Sequence, residues 1–342
     1  MDLTWTSANA IAYAVHDGQV SAHDVVTGAL KRIAVQNGTL NAFTAVTEER
    51  ALARAAAIDQ ARQNGDRLGP LAGVPFAVKN LFDVAGLPTV AGSKINRDRE
   101  PATQDSPLIA RLEGSGAVLV GALNMGEYAY DFTGENVHDG PARNPHDTTR
   151  MTGGSSSGSG GAVAGGLVPI SLGSDTNGSI RVPSSLCGIF GLKPTYGRLS
   201  RAHSFPFVGS LDHLGPFARS VYDLALAYDA MQGFDPDDPV CVDRSFEPTA
   251  SLIGNGADGL RIAVAGGYFR KGSFPEALTA VQRVADALGV TREVEIPEAA
   301  RARAAAYVIT ATEGAALHLE RLRKRANDFD PAVRDRLIAG AM

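Results

Sequence analysis

GGSSSGSGG at residues 153–161 is followed by AVAGGLVPISL at 162–172 and GSDTNGS at 173–179. This passage decides whether the chain is two bodies on a linker or one continuous fold. Many Gly/Ser runs are flexible linkers. Here apolar sequence follows directly and no charged spacer interrupts the run, which places it inside a fold. Val168–Leu172 reads as a short buried strand and Gly173–Ser179 as the turn leaving it, with Asn177 and Gly178 tolerating positive φ. A second apolar strand is expected over Ile189–Leu192.

Working outward, Ser21 and Asp24 begin a helix on which Val25, Val26, Ala29, Leu30 and Ile33 share a face. A second helix is expected from Glu48 to Gln63, closed by Asn64-Gly65. Gly73–Val78 is a short apolar run that delivers Lys79 at its end. Ala117–Gly121 is another strand, followed by a helical segment through Asn124 and Tyr130. Beyond Ser220 the pattern gives a helix at 221–231, a strand at 260–265, a helix at 275–288 and mostly helix from 297 to 342. FDPDDP at 234–239 reads as a surface loop. Helices alternating with short apolar strands argue for an α/β fold.

Composition narrows the function. With 44% hydrophobic residues, 20% charged and a formal charge of -5, the chain has no basic field to draw it onto nucleic acid. No apolar run approaches the roughly 18 residues of a membrane span, and the N-terminus lacks the basic start of a signal peptide, so a cytoplasmic location is expected. The two cysteines, Cys187 and Cys241, lack CxxC spacing. Neither a disulfide framework nor a zinc site is expected, and Cys187 reads as a small core residue. His138-Asp139 and His146-Asp147 lack ligand spacing, so no metal is expected, and no cofactor.

The Gly/Ser run satisfies neither phosphate-loop pattern. Gly154–Gly158 does match G-x-S-x-G, the strand-borne nucleophile turn of α/β-hydrolases. The residues before it, RNPHDTTRMT, cannot form a buried strand, and the adjacent Asp212 and His213 cannot serve as orienter and base of one triad. None of the seven histidines lies in a motif beside either serine segment. A serine hydroxyl needs a base to become a nucleophile. Lysine can be that base when burial away from carboxylates lowers its pKa by roughly 3 units. The apolar run before Lys79 supplies such a setting, and a tight turn before Ser179 can aim N–H groups at a developing oxyanion.

GVPFAVKN (73–80), GALNMGEYA (121–129), GEN (134–136), RNP (143–145), GGSSSGS (153–159), GSDTNGSIRVP (173–183) and GLKPTYGRLSR (191–201) occur in an order that resembles the amidase signature family. The resemblance spans most of the chain, and the interval between Ser155 and Ser179 is the family's. It implies a mixed β-sheet surrounded by helices in one domain over 1–342. N-terminal helices would fill 1–65, the catalytic core 66–220, and a C-terminal part, shortened relative to the family, 221–342. It also implies Ser179 as nucleophile, Ser155 as relay, Lys79 as base, and an oxyanion site made by the amides of Thr176, Asn177, Gly178 and Ser179. Gly154-Ser155 would be a cis peptide, with Asp175 and Arg181 bracing the turn.

Four residues depart from the family pattern: Ser157 and Asn177, where glycine is usual, and Gly126 and Asp131 beside the substrate channel. The SSLCGIFG and YDAMQGFDPDDP segments are similar to the branch of the family that hydrolyses 1-carboxybiuret in cyanuric acid degradation. That branch implies ammonia release through an acyl-enzyme, homo-oligomerisation and a small helical partner subunit. Two alternatives stand beside it: the amidase component of a glutamine-dependent tRNA amidotransferase, and a catalytically silent subunit.

Overall fold

The computed structural model describes residues 3–342. Serine caps start the N-terminal helices α1 (Ala8–His16) and α2 (Ala22–Leu40): Ser7 Oγ accepts from the Ala10 amide and Ser21 Oγ from the Asp24 amide. Each start is also held from a distance. Asp223 accepts from the amides of Ala8 and Asn9, and Asp59 from those of Ala22 and His23. Carboxylates placed so satisfy orphan helix donors and complement the helix dipole. Next come β1 (Phe43–Val46), α3 (Glu48–Gln63), β2 (Pro75–Lys79), α4 (Pro107–Gly114) and β3 (Val118–Leu123). A small hairpin, β4 (Arg143–Asn144) and β5 (Asp147–Met151), precedes α5 (Ser157–Ala164), β6 (Ile170–Asp175), α6 (Arg181–Cys187), β7 (Phe190–Gly191), β8 (His213–Ala218) and α7 (Val221–Met231). The last part holds β9 (Val264–Ala265), α8 (Pro275–Ala287), β10 (Glu293–Val294), α9 (Ala299–Arg325) and α10 (Pro331–Ala341).

The main sheet runs β1-β3-β2-β6-β8-β7. Its centre, β3, β2 and β6, is parallel, and antiparallel strands close both sides. The α/β expectation holds. The central strands are buried along their whole length, as strands covered on both faces must be. Because β2 and β6 are parallel neighbours, Lys79 and Asp175 leave the sheet at the same edge, where open α/β sheets place their ligands. Among the described residues no helix is long and apolar enough to cross a membrane.

Four local expectations need correction or refinement. The strand after Val168 begins at Ile170 and continues through Asp175, so Ser174 and Asp175 belong to the sheet and the turn starts at Thr176. Its extension pairs with β8, up to Asp175 opposite His213. Residues 124–130 are not a helix, because Tyr128 and Ala129 have φ of 51° and 61° and only a short turn at Glu127–Ala129 remains. Glu127 is drawn inward instead, accepting from Ser93 Oγ at 2.6 Å and the Asp330 amide at 2.7 Å. FDPDDP is a surface loop, with Phe234, Pro236, Asp237 and Pro239 exposed, but it is pinned by two buried carboxylates: Asp235 and Asp238 accept from Ser200 Oγ and the Arg201 amide. Finally, the strands expected at 189–192 and 260–265 shrink to the two-residue β7 and β9.

The Gly/Ser run forms α5, every residue of which is buried. Its lack of side chains permits close approach to its neighbours. A Cβ on Gly158 would strike the Ala42 carbonyl oxygen and the Asn124 amide nitrogen, and one on Gly160 would press on Pro183. In contrast, Gly38 in α2 has open space around it. Gly158→Ala is therefore expected to destabilise the fold by about 3 kcal/mol or more, whereas Gly38→Ala stabilises it by about 0.5–1 kcal/mol. Equilibrium denaturation of the two variants checks the opposite signs.

Candidate active site

Lys79 ends β2 with its side chain completely buried. Its Nζ lies 2.6 Å from Ser155 Oγ and 2.8 Å from Ser174 Oγ. Burial pushes the amine down to about 7, against the pull of the carboxylates of Asp175, Asp212 and Asp131. None of those carboxylates is bonded to it, so the amine sits among hydroxyls with its neutral form favoured. Ser155 is fully buried and follows a cis peptide bond after Gly154.

Ser179 follows the turn that leaves β6, and Asp175 organises that turn. Burial pushes the Asp175 carboxyl up, but Arg181 and the amides of Ile180 and Arg181 outweigh this and hold it below the usual carboxylate range. The Arg181 guanidinium meets it through two nitrogens, at 3.0 and 2.8 Å. Asp175 also accepts from the Gly178 amide at 2.8 Å. That bond engages the Gly178 N–H, one of the four amides expected from sequence to face an oxyanion. Among the described residues no direct hydrogen bond joins Ser155 to Ser179. Such links commonly tighten only when substrate is bound.

The competing serine is placed differently. Ser156 Oγ is tied to the backbone of Ser174, donating to its carbonyl and accepting from its amide, at 3.2 and 3.3 Å. Asp212 is bonded to the amides of Phe207 and Val208 and to Thr176 Oγ1, and His213 Nδ1 faces the Leu211 carbonyl. These residues form no Ser-His-Asp triad. The strand before the run, β5, lies at the surface and is open to solvent, so the nucleophile-turn geometry is missing as well.

Ser179 opens onto a cavity of about 430 Å³, walled by Tyr130, Phe132, Thr176, Asn177 and, from α9 and α10, Arg303, Tyr307 and Arg336. Residues 24–340 match the profile of the Amidase family. The chain belongs to the amidase family. It is 57% identical over 328 residues to the AtzE subunit of 1-carboxybiuret hydrolase from Pseudomonas sp. (strain ADP), covering 96% of this chain and 72% of that protein. It is 39% identical over 317 residues to a glutamyl-tRNA(Gln) amidotransferase subunit of Koribacter versatilis (strain Ellin345), covering 92% of this chain and 66% of that one. A solved inhibitor-bound complex of an s-triazine catabolic enzyme superposes with a TM-score of 0.97 at 55% identity, over 98% of this chain and 74% of that one.

Within this amidase three of the four departures have physical partners. Gly126 and Asp131 belong together, because a Cβ on Gly126 would run into the Asp131 side chain. Asp131 uses that space to accept from the amides of Thr133 and Gly134. Asn177 Nδ2 donates to Thr310 Oγ1 on α9 at 2.8 Å, tying the turn to the cavity roof. Ser157 is buried without a hydrogen-bond partner for its hydroxyl, and nothing in the structure explains it. Cys187 is a core residue whose thiol burial pushes up to about 12. Ser174, Arg303, Tyr307 and Arg336 are the site residues that sequence reasoning missed. Ser174 was hidden in the expected turn, and the others sit in Ala/Arg-rich helices with no local motif.

Holding Lys79 at about 7, down from 10.5, costs the fold on the order of 4–5 kcal/mol at pH 7. The folded pKa is depressed, so the cost is full below pH 7 and fades as pH rises toward 10.5. Lys79→Met is expected to raise the melting temperature by several degrees at pH 7 and by less near pH 10. Calorimetry across that range checks both signs.

Proposed function

We propose that this amidase hydrolyses the terminal carboxamide of a small carboxylated amide, 1-carboxybiuret, and that Lys79, Ser155 and Ser179 carry the reaction. The observation behind the chemistry is the fully buried Lys79 amine bonded to hydroxyls alone. As Ser179 Oγ attacks the carboxamide carbon, its proton passes to Ser155 and that of Ser155 to Lys79. The new oxyanion receives the amides of Thr176, Asn177 and Ser179, each donor of this kind being worth on the order of 100-fold in rate. The C–N bond then breaks and ammonia leaves with the proton returned through Ser155. Water attacks the acyl-enzyme by the same relay and frees Ser179.

Two features favour this substrate. The chain is more similar to the 1-carboxybiuret hydrolase subunit than to the amidotransferase subunit. The cavity also carries two guanidiniums: Arg303 has no carboxylate partner among the described residues, and Arg336 donates to the Tyr130 carbonyl at 2.9 Å while lying over the Tyr130 ring. Cations in a small cavity suit an anionic substrate. The reading includes a homo-oligomer with a small helical partner subunit, supported by the similar chain having been solved within a protein complex, and a cytoplasmic location.

Ammonia release from 1-carboxybiuret and from glutamine tests the assignment, with Ser179→Ala as control. Turnover of 1-carboxybiuret that Ser179→Ala abolishes is expected, and activity on glutamine alone overturns the substrate. Because the base must be neutral, kcat/KM is expected to fall as pH drops through about 7, the Lys79 value. Arg336→Met is expected to raise KM for the carboxylated substrate about tenfold or more, while changing KM for an uncharged amide little.

A further inference from the structure

Lys79 Nζ has two hydroxyl neighbours, of which only Ser155 stands in the proposed relay. The other, Ser174, is only 5% exposed and sits on β6, the strand beside β2. A neutral amine has two N–H bonds and one lone pair, and only the lone pair can take the proton of Ser155. With free rotation about its last C–N bond, the amine would point the lone pair at Ser155 for only part of the time. A second, fixed acceptor removes that freedom by engaging one N–H.

We propose that Ser174 is a positioning residue: by accepting a hydrogen bond from Lys79 Nζ, it holds the lone pair of the amine on Ser155. The inference rests on Lys79 being the base. Ser174 is rigidly placed for this task. Its amide and carbonyl are both bonded to Ser156 Oγ, so the residue after Ser155 clips β6 to the serine run and sets the separation of the two hydroxyls around the amine. Ser174 also lines a second cavity, of about 280 Å³, together with Arg201 and Asp212. Its own O–H can turn into that cavity and need not compete for the lone pair.

The acceptor also affects protonation, since a hydroxyl oxygen bonds an ammonium more strongly than an amine. Removing it lowers the pH at which Lys79 loses its proton. The charged groups acting on Lys79 are Asp175 from β6, Asp212 from the segment before β8 and Asp131 from the loop after β3, and none is altered by substitution at Ser174.

The test is the rate at which phenylmethanesulfonyl fluoride labels Ser179, followed by mass spectrometry against pH in the full chain. It reads nucleophile activation without requiring the natural substrate. Ser174→Ala is expected to slow labelling roughly 10- to 100-fold above pH 8 and to move the midpoint of the pH profile down by about half to one pH unit. Ser174→Thr, which keeps the hydroxyl, is expected to recover most of the rate. Circular dichroism confirms that each variant is folded at the assay temperature. Unchanged labelling by Ser174→Ala overturns the inference, as does a loss with an unmoved midpoint or one that threonine fails to recover. Lys79→Met labelling at the wild-type rate overturns the base assignment itself.

Discussion

An amine buried away from bulk solvent is the constraint on which the rest of the structure depends. Lys79 is held where its charge is unwelcome, at a cost of several kcal/mol in a fold whose whole stability is on the order of 5–15. That cost is sustainable because β2 lies between the fully buried strands β3 and β6 and because each hydrogen bond the amine makes is to a hydroxyl. Had one nearby carboxylate reached it, the amine would be a locked ammonium with no basicity to offer. The three carboxylates that act on it are otherwise engaged: Asp175 with Arg181 and the turn amides, Asp212 with two amides and Thr176, and Asp131 with two amides and Thr133.

Close packing of small residues brings the serine segments to that amine. The run at 153–161 is poor in side chains because α5 is pressed between the sheet and α6, where a single added methyl meets backbone. The glycines of this helix carry a conformational penalty, which the approach of Ser155 to Lys79 makes necessary. The turn at 176–179 is shaped in the same economical way, by one buried carboxylate collecting the Gly178 and Ile180 amides and a guanidinium.

Much of this was legible in the sequence, for identifiable reasons. α3 and α7 end where their composition and turn residues place them, and β2 delivers Lys79 as the run of apolar residues before it implies. The motif spacing led to the same family that the comparisons show. What escaped depends on contacts distant in the chain. β8 contains Gly215 and Pro216 and carries no strand signal of its own; it is a strand because β6 and β7 flank it. The burial of Asp235 and Asp238 follows from Ser200 and Arg201, more than thirty residues earlier. Arg303 and Arg336 join the site only through the folding of α9 and α10 over the sheet edge, which no local pattern announces.

The pair α9 and α10 roofs the cavity, sinking Leu322, Phe329, Val333 and Leu337 into the core and adding polar joints to the loops around the site: Asn177 to Thr310, the Ser210 hydroxyl to Glu313, and the Asp330 amide to Glu127. The groups proposed to make and break bonds come from the first two thirds of the chain, and the cationic wall groups from the helical hairpin that follows. Selection can rework that hairpin to favour a different acyl group while the amine and its serines stay untouched. A lineage built this way diversifies its diet by remodelling the ceiling and keeping the hearth.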